Sequence, residues 1–112
     1  MSDNEFTFIT SKANVFSHPT VMVRSSSACI NATAFRLLGK PGYVTIEATN
    51  EFQLRVKACD ESDVNACRLS PASLGISRLL TFTRKNGLAT GIFTAELRDG
   101  ALYAQLRKAE SE

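Results

Sequence analysis

Histidine is almost missing from this chain: His18 is the only one in 112 residues. It stands beside Pro19 in a stretch expected to be a loop. No group able to orient an imidazole lies near it in sequence, so it reads as incidental rather than as a general base. Cysteine is sparse and odd in number. Cys29, Cys59 and Cys67 make no disulfide framework and read as reduced, partly buried thiols. Cys59 and Cys67 flank the acidic stretch of Asp60, Glu61 and Asp63, but two thiols without a histidine are an incomplete zinc set. Cys-x-x-Cys, His-Glu-x-x-His, calcium-loop and phosphate-loop patterns are all absent. Glu47 and Glu96 hold comparable places in two alternating segments. Each falls on a solvent face, where a glutamate beside Arg55 or Tyr103 needs no catalytic role. A non-enzymatic protein without cofactor or metal is the expectation.

Long hydrophobic runs are lacking too. None approaches the ~18 residues that a membrane-spanning helix requires. The opening MSDNEFTFIT does not show the basic-then-apolar order of a secretory signal. A cytoplasmic location with no membrane partner is therefore expected.

What the chain does contain is the material of one domain, 1–112, with 44% hydrophobic and 21% charged residues. The formal net charge is +2. Four of the 11 acids (Asp3, Glu5, Glu110 and Glu112) sit in the ends, which are expected to be flexible tails. Between Phe6 and Ala109 that leaves seven acids against all 13 bases. Such a body leans toward an anionic partner.

The most informative stretch is INATAFRLLGKPGYVTIEATNEFQLRV, residues 30–56. Asn31 is a good N-cap, Ala32 to Leu38 are mostly helix formers, and Gly39 supplies a left-handed stop. Pro41-Gly42 fits the centre of a type II turn, with glycine at positive φ. Val44, Ile46 and Ala48, then Phe52, Leu54 and Val56, alternate with polar residues, as two half-buried antiparallel strands do. A three-residue loop pairing Ala48 with Phe52 keeps the apolar side chains on one face. Upstream, TVMVR and ACIN read as short strands flanking Ser25-Ser26-Ser27.

The second half runs in the same order. NACRLS is a candidate strand, and Ser70-Pro71 offers a helix cap followed by proline at the first helical position. LGISRLLTFTRKNG then reads as a helix ending at Gly87, although Thr81-Phe82-Thr83 is β-prone. GIFTAEL and ALYAQL flank Asp99-Gly100, a strong type I′ hairpin signal that pairs Leu97 with Leu102, Ala95 with Ala104 and Phe93 with Leu106. Together these elements predict a β-rich α+β fold. It is a small β-barrel built from two strand-helix-hairpin halves, a pseudo-repeat of 20–58 and 65–108.

VRSSSACINATAFRLLGKPGYVTIEATNEFQLRV, residues 23–56, resembles the swapped-hairpin (cradle-loop barrel) domain of AbrB/SpoVT-type regulators. The likeness lies in a loop before a short strand, a helix ending in Leu-Leu-Gly, a Pro-Gly turn and the paired strands that follow. It implies an intertwined β-barrel, often dimeric, that binds DNA through basic residues around its loops and acts in transcription regulation. The family's Lys/Arg-Gly-Arg loop stands here as Arg24-Ser25-Ser26-Ser27, and its Ile-Pro before the helix stands as Ile30-Asn31.

Arg24, Ser26, Lys40, Arg55, Lys57, Arg84 and Lys85 are the candidate nucleic-acid contacts. Bases would meet phosphates, and the serine loop would add hydroxyl and amide donors. Arg98, Tyr103 and Arg107 extend the polar surface of the second hairpin. A mixed solvated surface accounts for the same residues without a ligand. A protein-binding accessory or inhibitor module of phage or plasmid type, using a barrel face or a sheet edge, is the alternative function. Two halves closing one barrel allow a monomer; the resemblance implies a homodimer.

Overall fold

Residues 18–109 are described by the structure, a computed structural model. The expected flexible tails, with their four acids, lie outside them. The elements follow the anticipated order: β1 (Thr20–Val23), β2 (Ala28–Ile30), α1 (Ala32–Leu37), β3 (Tyr43–Ala48), β4 (Gln53–Cys59), β5 (Cys67–Arg68), α2 (Ser77–Lys85), β6 (Gly91–Arg98) and β7 (Ala101–Gln105). The strands form one curled sheet in the order β2-β1-β6-β7-β4-β3-β5, antiparallel throughout. It is a half-barrel. The gap between its edge strands is bridged by the segment before α2, where Ile76 N–H donates to Ala28 O at 2.8 Å and Ile30 N–H to Leu74 O at 3.2 Å. Among the described residues no helix is long and apolar enough to cross a membrane.

Period-two alternation decides what the curl encloses. Val21, Val23, Ile30, Val44, Leu54, Val56, Leu102 and Leu106 point inward and are essentially fully buried. Ile76 and Leu79 close one side of this core, and Ala34 and Leu38 contribute from α1. Buried apolar area of this kind is the main stabilising term in so small a domain. Thr83 on α2 is also buried, and its hydroxyl donates back to Leu80 O at 2.9 Å. That bond lets a β-prone residue sit inside the helix without an unmet polar group.

Both helices stop as expected, by the same device. Lys40 N–H reaches Phe35 O and Gly39 N–H reaches Arg36 O; Leu88 N–H reaches Thr83 O and Gly87 N–H reaches Arg84 O. These are paired Schellman closures around glycines at φ 87° and 63°. The Asn31 cap is present, its Oδ1 accepting from Ala34 N–H at 2.9 Å and Thr20 N–H at 3.1 Å.

Four local expectations are corrected. Gly42 is not among the positive-φ residues: Gly39 and Lys40 (φ 56°) make the reversal, and Gly42 O accepts from Leu69 N–H at 2.9 Å as the chain enters β3. The first hairpin has a three-residue loop, but it closes one residue later, on Thr49 and Gln53, so Ala48 opposes Leu54. Thr49 explains the shift, because its Oγ1 accepts from both Glu51 and Gln53 N–H. The even offset keeps the apolar residues on one face. Next, α2 starts at Ser77, with Ile76 in the cap position and no side-chain cap. Ser70-Pro71 instead opens a turn closed by Leu74 N–H on Ser70 O, with Leu74 left-handed at φ 57°, and Gly75 and Ile76 then run along β2. Lastly, the β6–β7 ladder ends at Ala95 and Ala104, and Phe93 faces Val21 rather than Leu106. β6 is shared between two partners, β1 along residues 91–94 and β7 along 95–98.

Candidate functional site

The seven candidate contacts divide into separate groups. Arg24 follows the last residue of β1 and Ser26 lies in the β1–β2 turn, both exposed. Arg84, in the last turn of α2, donates from Nε and Nη2 to the Ser25 carbonyl at 3.1 and 2.6 Å. This two-pronged bond joins residues 59 apart in the chain and holds the serine turn against the helix end. Lys85 follows on the same last turn and is exposed. Arg24, Ser26, Arg84 and Lys85 are thus brought to one corner, where a helix C-terminus meets a tight hairpin.

Arg55 and Lys57 lie elsewhere, on the outer face of β4, which β7 and β6 separate from β1. Register sets their neighbours. Glu47, Arg55, Tyr103 and Glu96 stand opposite one another in a row across β3, β4, β7 and β6. Arg55 Nε donates to Glu47 Oε1 at 2.6 Å. The guanidinium beside Glu47 holds its carboxyl below the ordinary value of 4.5, and the same pairing, with Tyr103, raises Arg55 further above its already high range. Arg98 stacks on Tyr103 at 4.3 Å and approaches Glu96 at 3.5 Å. A row of this kind matches charges side by side on a solvent face. Lys40 sits apart from both groups, in the left-handed position after α1, and is exposed.

The thiols are explained by their strands. Cys67 points into the core. Burial raises the Cys29 thiol, with Arg24 opposing it in part, and raises Cys59, where Asp63 acts in the same direction. Cys59 and Cys67 sit on β4 and β5, with β3 between them. Among the described residues no three metal-ligating side chains cluster.

One residue the sequence reading did not single out is Arg78. It donates to Asn65 O at 3.2 Å and lines, with Lys57 and Glu47, a cleft of about 450 Å³ beside β3. No local signal marks it, because its neighbours come from β3, β4 and the loop after Cys59. Among the described residues the only bases in salt bridges are Arg55 and Arg98; Arg24, Lys57, Arg78 and Lys85 make none. Comparison with protein-family models, curated proteins and solved structures finds no match.

Proposed function

We propose that this chain is a non-catalytic binding protein that contacts DNA through the corner formed by the β1–β2 turn and the end of α2. The carrying observation is the Arg84 clamp on Ser25. It pre-orders the backbone of a turn that displays Arg24 and the Ser26 hydroxyl near Lys85, so that backbone need not be ordered when a phosphate arrives. A two-half construction, as the AbrB-type resemblance implies, is part of this reading. Reading outward from the β7–β4 seam, each side meets the other strand of its hairpin and then a short strand from the opposite half, β1 beside β6 and β5 beside β3. In this reading one chain supplies both halves and acts as a cytoplasmic monomer, with a regulatory role.

The test is binding to random duplex DNA across a salt series. Affinity should fall steeply as salt rises, and Arg24→Ala with Lys85→Ala should flatten the log–log slope by roughly two units. Arg55→Ala should change it little, because Glu47 already answers that charge. No binding to duplex at low ionic strength sinks the proposal. A protein-binding role is the second reading, and the open edge of β3 favours it.

A further inference from the structure

We propose that the outer edge of β3, Thr45–Ala48, is a docking site for an extended acidic peptide, which adds to the sheet as an antiparallel strand. The proposal goes beyond DNA contact at the serine turn and involves a different part of the molecule.

β5 covers only Tyr43 and Val44 of β3. Among the described residues, β3 has no further strand on that side, so the backbone groups directed outward from Thr45 to Ala48 form an open ladder. Natural edges of this kind are guarded by charge, by a bulge or by a covering loop. Here the obvious guard is engaged elsewhere: the Glu47 carboxylate is bonded to Arg55 on β4, the neighbour on the opposite side from the open edge.

Two concavities meet at this edge. A groove of about 230 Å³ between β3 and α2 is lined by Ile46, Ala48, Leu54 and Phe82, together with Glu47 and Arg78. The larger polar cleft carries Lys57 and again Arg78. A strand laid along Thr45–Ala48 would put alternate side chains over the apolar groove and its other side chains outward. The charge at the edge selects the occupant. Glu47 and Arg55 cancel, Asp63 contributes one negative charge whose oxygen accepts from Asn65 N–H, and Lys57 and Arg78 contribute two positive charges outside any salt bridge among the described residues. Among the residues lining the cleft the balance is positive. Main-chain bonds would supply affinity, an apolar side chain would fill the groove beside Phe82, and an acidic neighbour would meet Arg78 and Lys57.

The experiment uses the full chain with two short fluorescent peptides, one alternating valine with glutamate and one alternating valine with lysine. Fluorescence anisotropy should show the acidic peptide binding at least about tenfold more tightly, with the preference reversed or lost in Arg78→Glu. Lys57→Glu is the companion variant, because its side chain is exposed on a strand whose core face is untouched. Amide exchange should show new protection at Thr45–Ala48 when the acidic peptide is bound, and methylating alternate peptide nitrogens should abolish binding. Equal affinity for both peptides, or protection confined to other strands, overturns the proposal. Protection of these amides by duplex DNA, or by self-association without peptide, overturns it in favour of a nucleic-acid or second-copy occupant. Duplex binding through Arg24 and Lys85 should survive Lys57→Glu, so the two proposals fail separately.

Discussion

The β3–β4 and β6–β7 hairpins are built alike along their strands and differ at their tips. In β6–β7, Asp99 (φ 52°) and Gly100 (φ 80°) make a two-residue type I′ turn, and Leu97 opposes Leu102 as the sequence indicates. In β3–β4 the positive φ falls instead on Phe52, at 66°. Thr49 O accepts from Phe52 N–H, and Thr49 N–H donates to Gln53 O. That is a tight turn followed by one left-handed residue, the three-residue pattern. An aromatic residue enters that conformation only at a cost of about 1–2 kcal/mol. The offset comes from outside the hairpin. The Phe52 ring packs edge-on against Phe82 of α2, centroids 6.3 Å apart, Leu106 N–H donates to Phe52 O, and Gln105 Nε2 donates to Glu51 O at 2.7 Å. One tip is shaped by its own two residues, the other by a helix and strand that arrive later in the chain.

The largest test asks whether the two hairpins share one core. Leu54 in β4 and Leu102 in β7 are both essentially unexposed. Each truncation to alanine should cost about 2–5 kcal/mol by denaturant unfolding, within a single cooperative transition. A biphasic curve for either variant would divide the sheet into separately melting units.

A smaller effect separates the tips. Gly100→Val should lower stability by about 1 kcal/mol or more, because valine resists a φ of 80°. Gly42→Val should cost much less, since that residue is outside the positive-φ region and a side chain there meets open space. At Phe52 the comparison is between two truncations. Both remove the contact with Phe82, but glycine accepts the left-handed backbone, so Phe52→Gly should be about 1 kcal/mol more stable than Phe52→Ala. Equal stabilities would remove the strain from the account.

The smallest effect lies on the outer faces of the same hairpins, where Glu47 opposes Arg55 and Glu96 opposes Tyr103. Glu47 is held below 4.5 chiefly by its hydrogen bond from Arg55. A carboxyl lowered in the folded state contributes stability that is fully present above its unfolded value, and the contribution is lost as pH falls through the folded value. The wild type should therefore exceed Glu47→Gln slightly near neutrality, with the difference vanishing in acid. NMR titration should place the Glu47 midpoint below 4.5, returning upward in Arg55→Ala. An unmoved midpoint would reduce the pair to a juxtaposition without energetic content.

Much of the fold was legible because its signals are short. Asn31 caps the helix three residues ahead, and the glycines at 39 and 87 stop helices within one turn. Alternation placed Arg55 and Lys57 outside and Leu54 and Val56 inside. The candidate site was less legible. The bases were identified from their polar faces, but their grouping depended on partners far along the chain. Ser25 and Arg84 are 59 residues apart, and Arg78 acquires its surroundings from two strands and a loop. The start of α2 was misplaced for the same reason. Ser70-Pro71 has the chemistry of a cap, yet it opens a turn, and the pairing of Gly75 and Ile76 with β2 delays the helix to Ser77.

By itself, then, the sequence determined which segments alternate, how the first helix is capped, where both helices stop, and how the Asp99-Gly100 turn folds. Each rests on groups within a few residues of one another, whose encounter costs little chain entropy. Tertiary structure decided the partition of β6 between β1 and β7, the left-handed Phe52, the clamp of Arg84 on the serine turn and the open edge of β3. These depend on segments that meet only when the common core is buried, and the free energy of that burial offsets both the loop closures and the local strain.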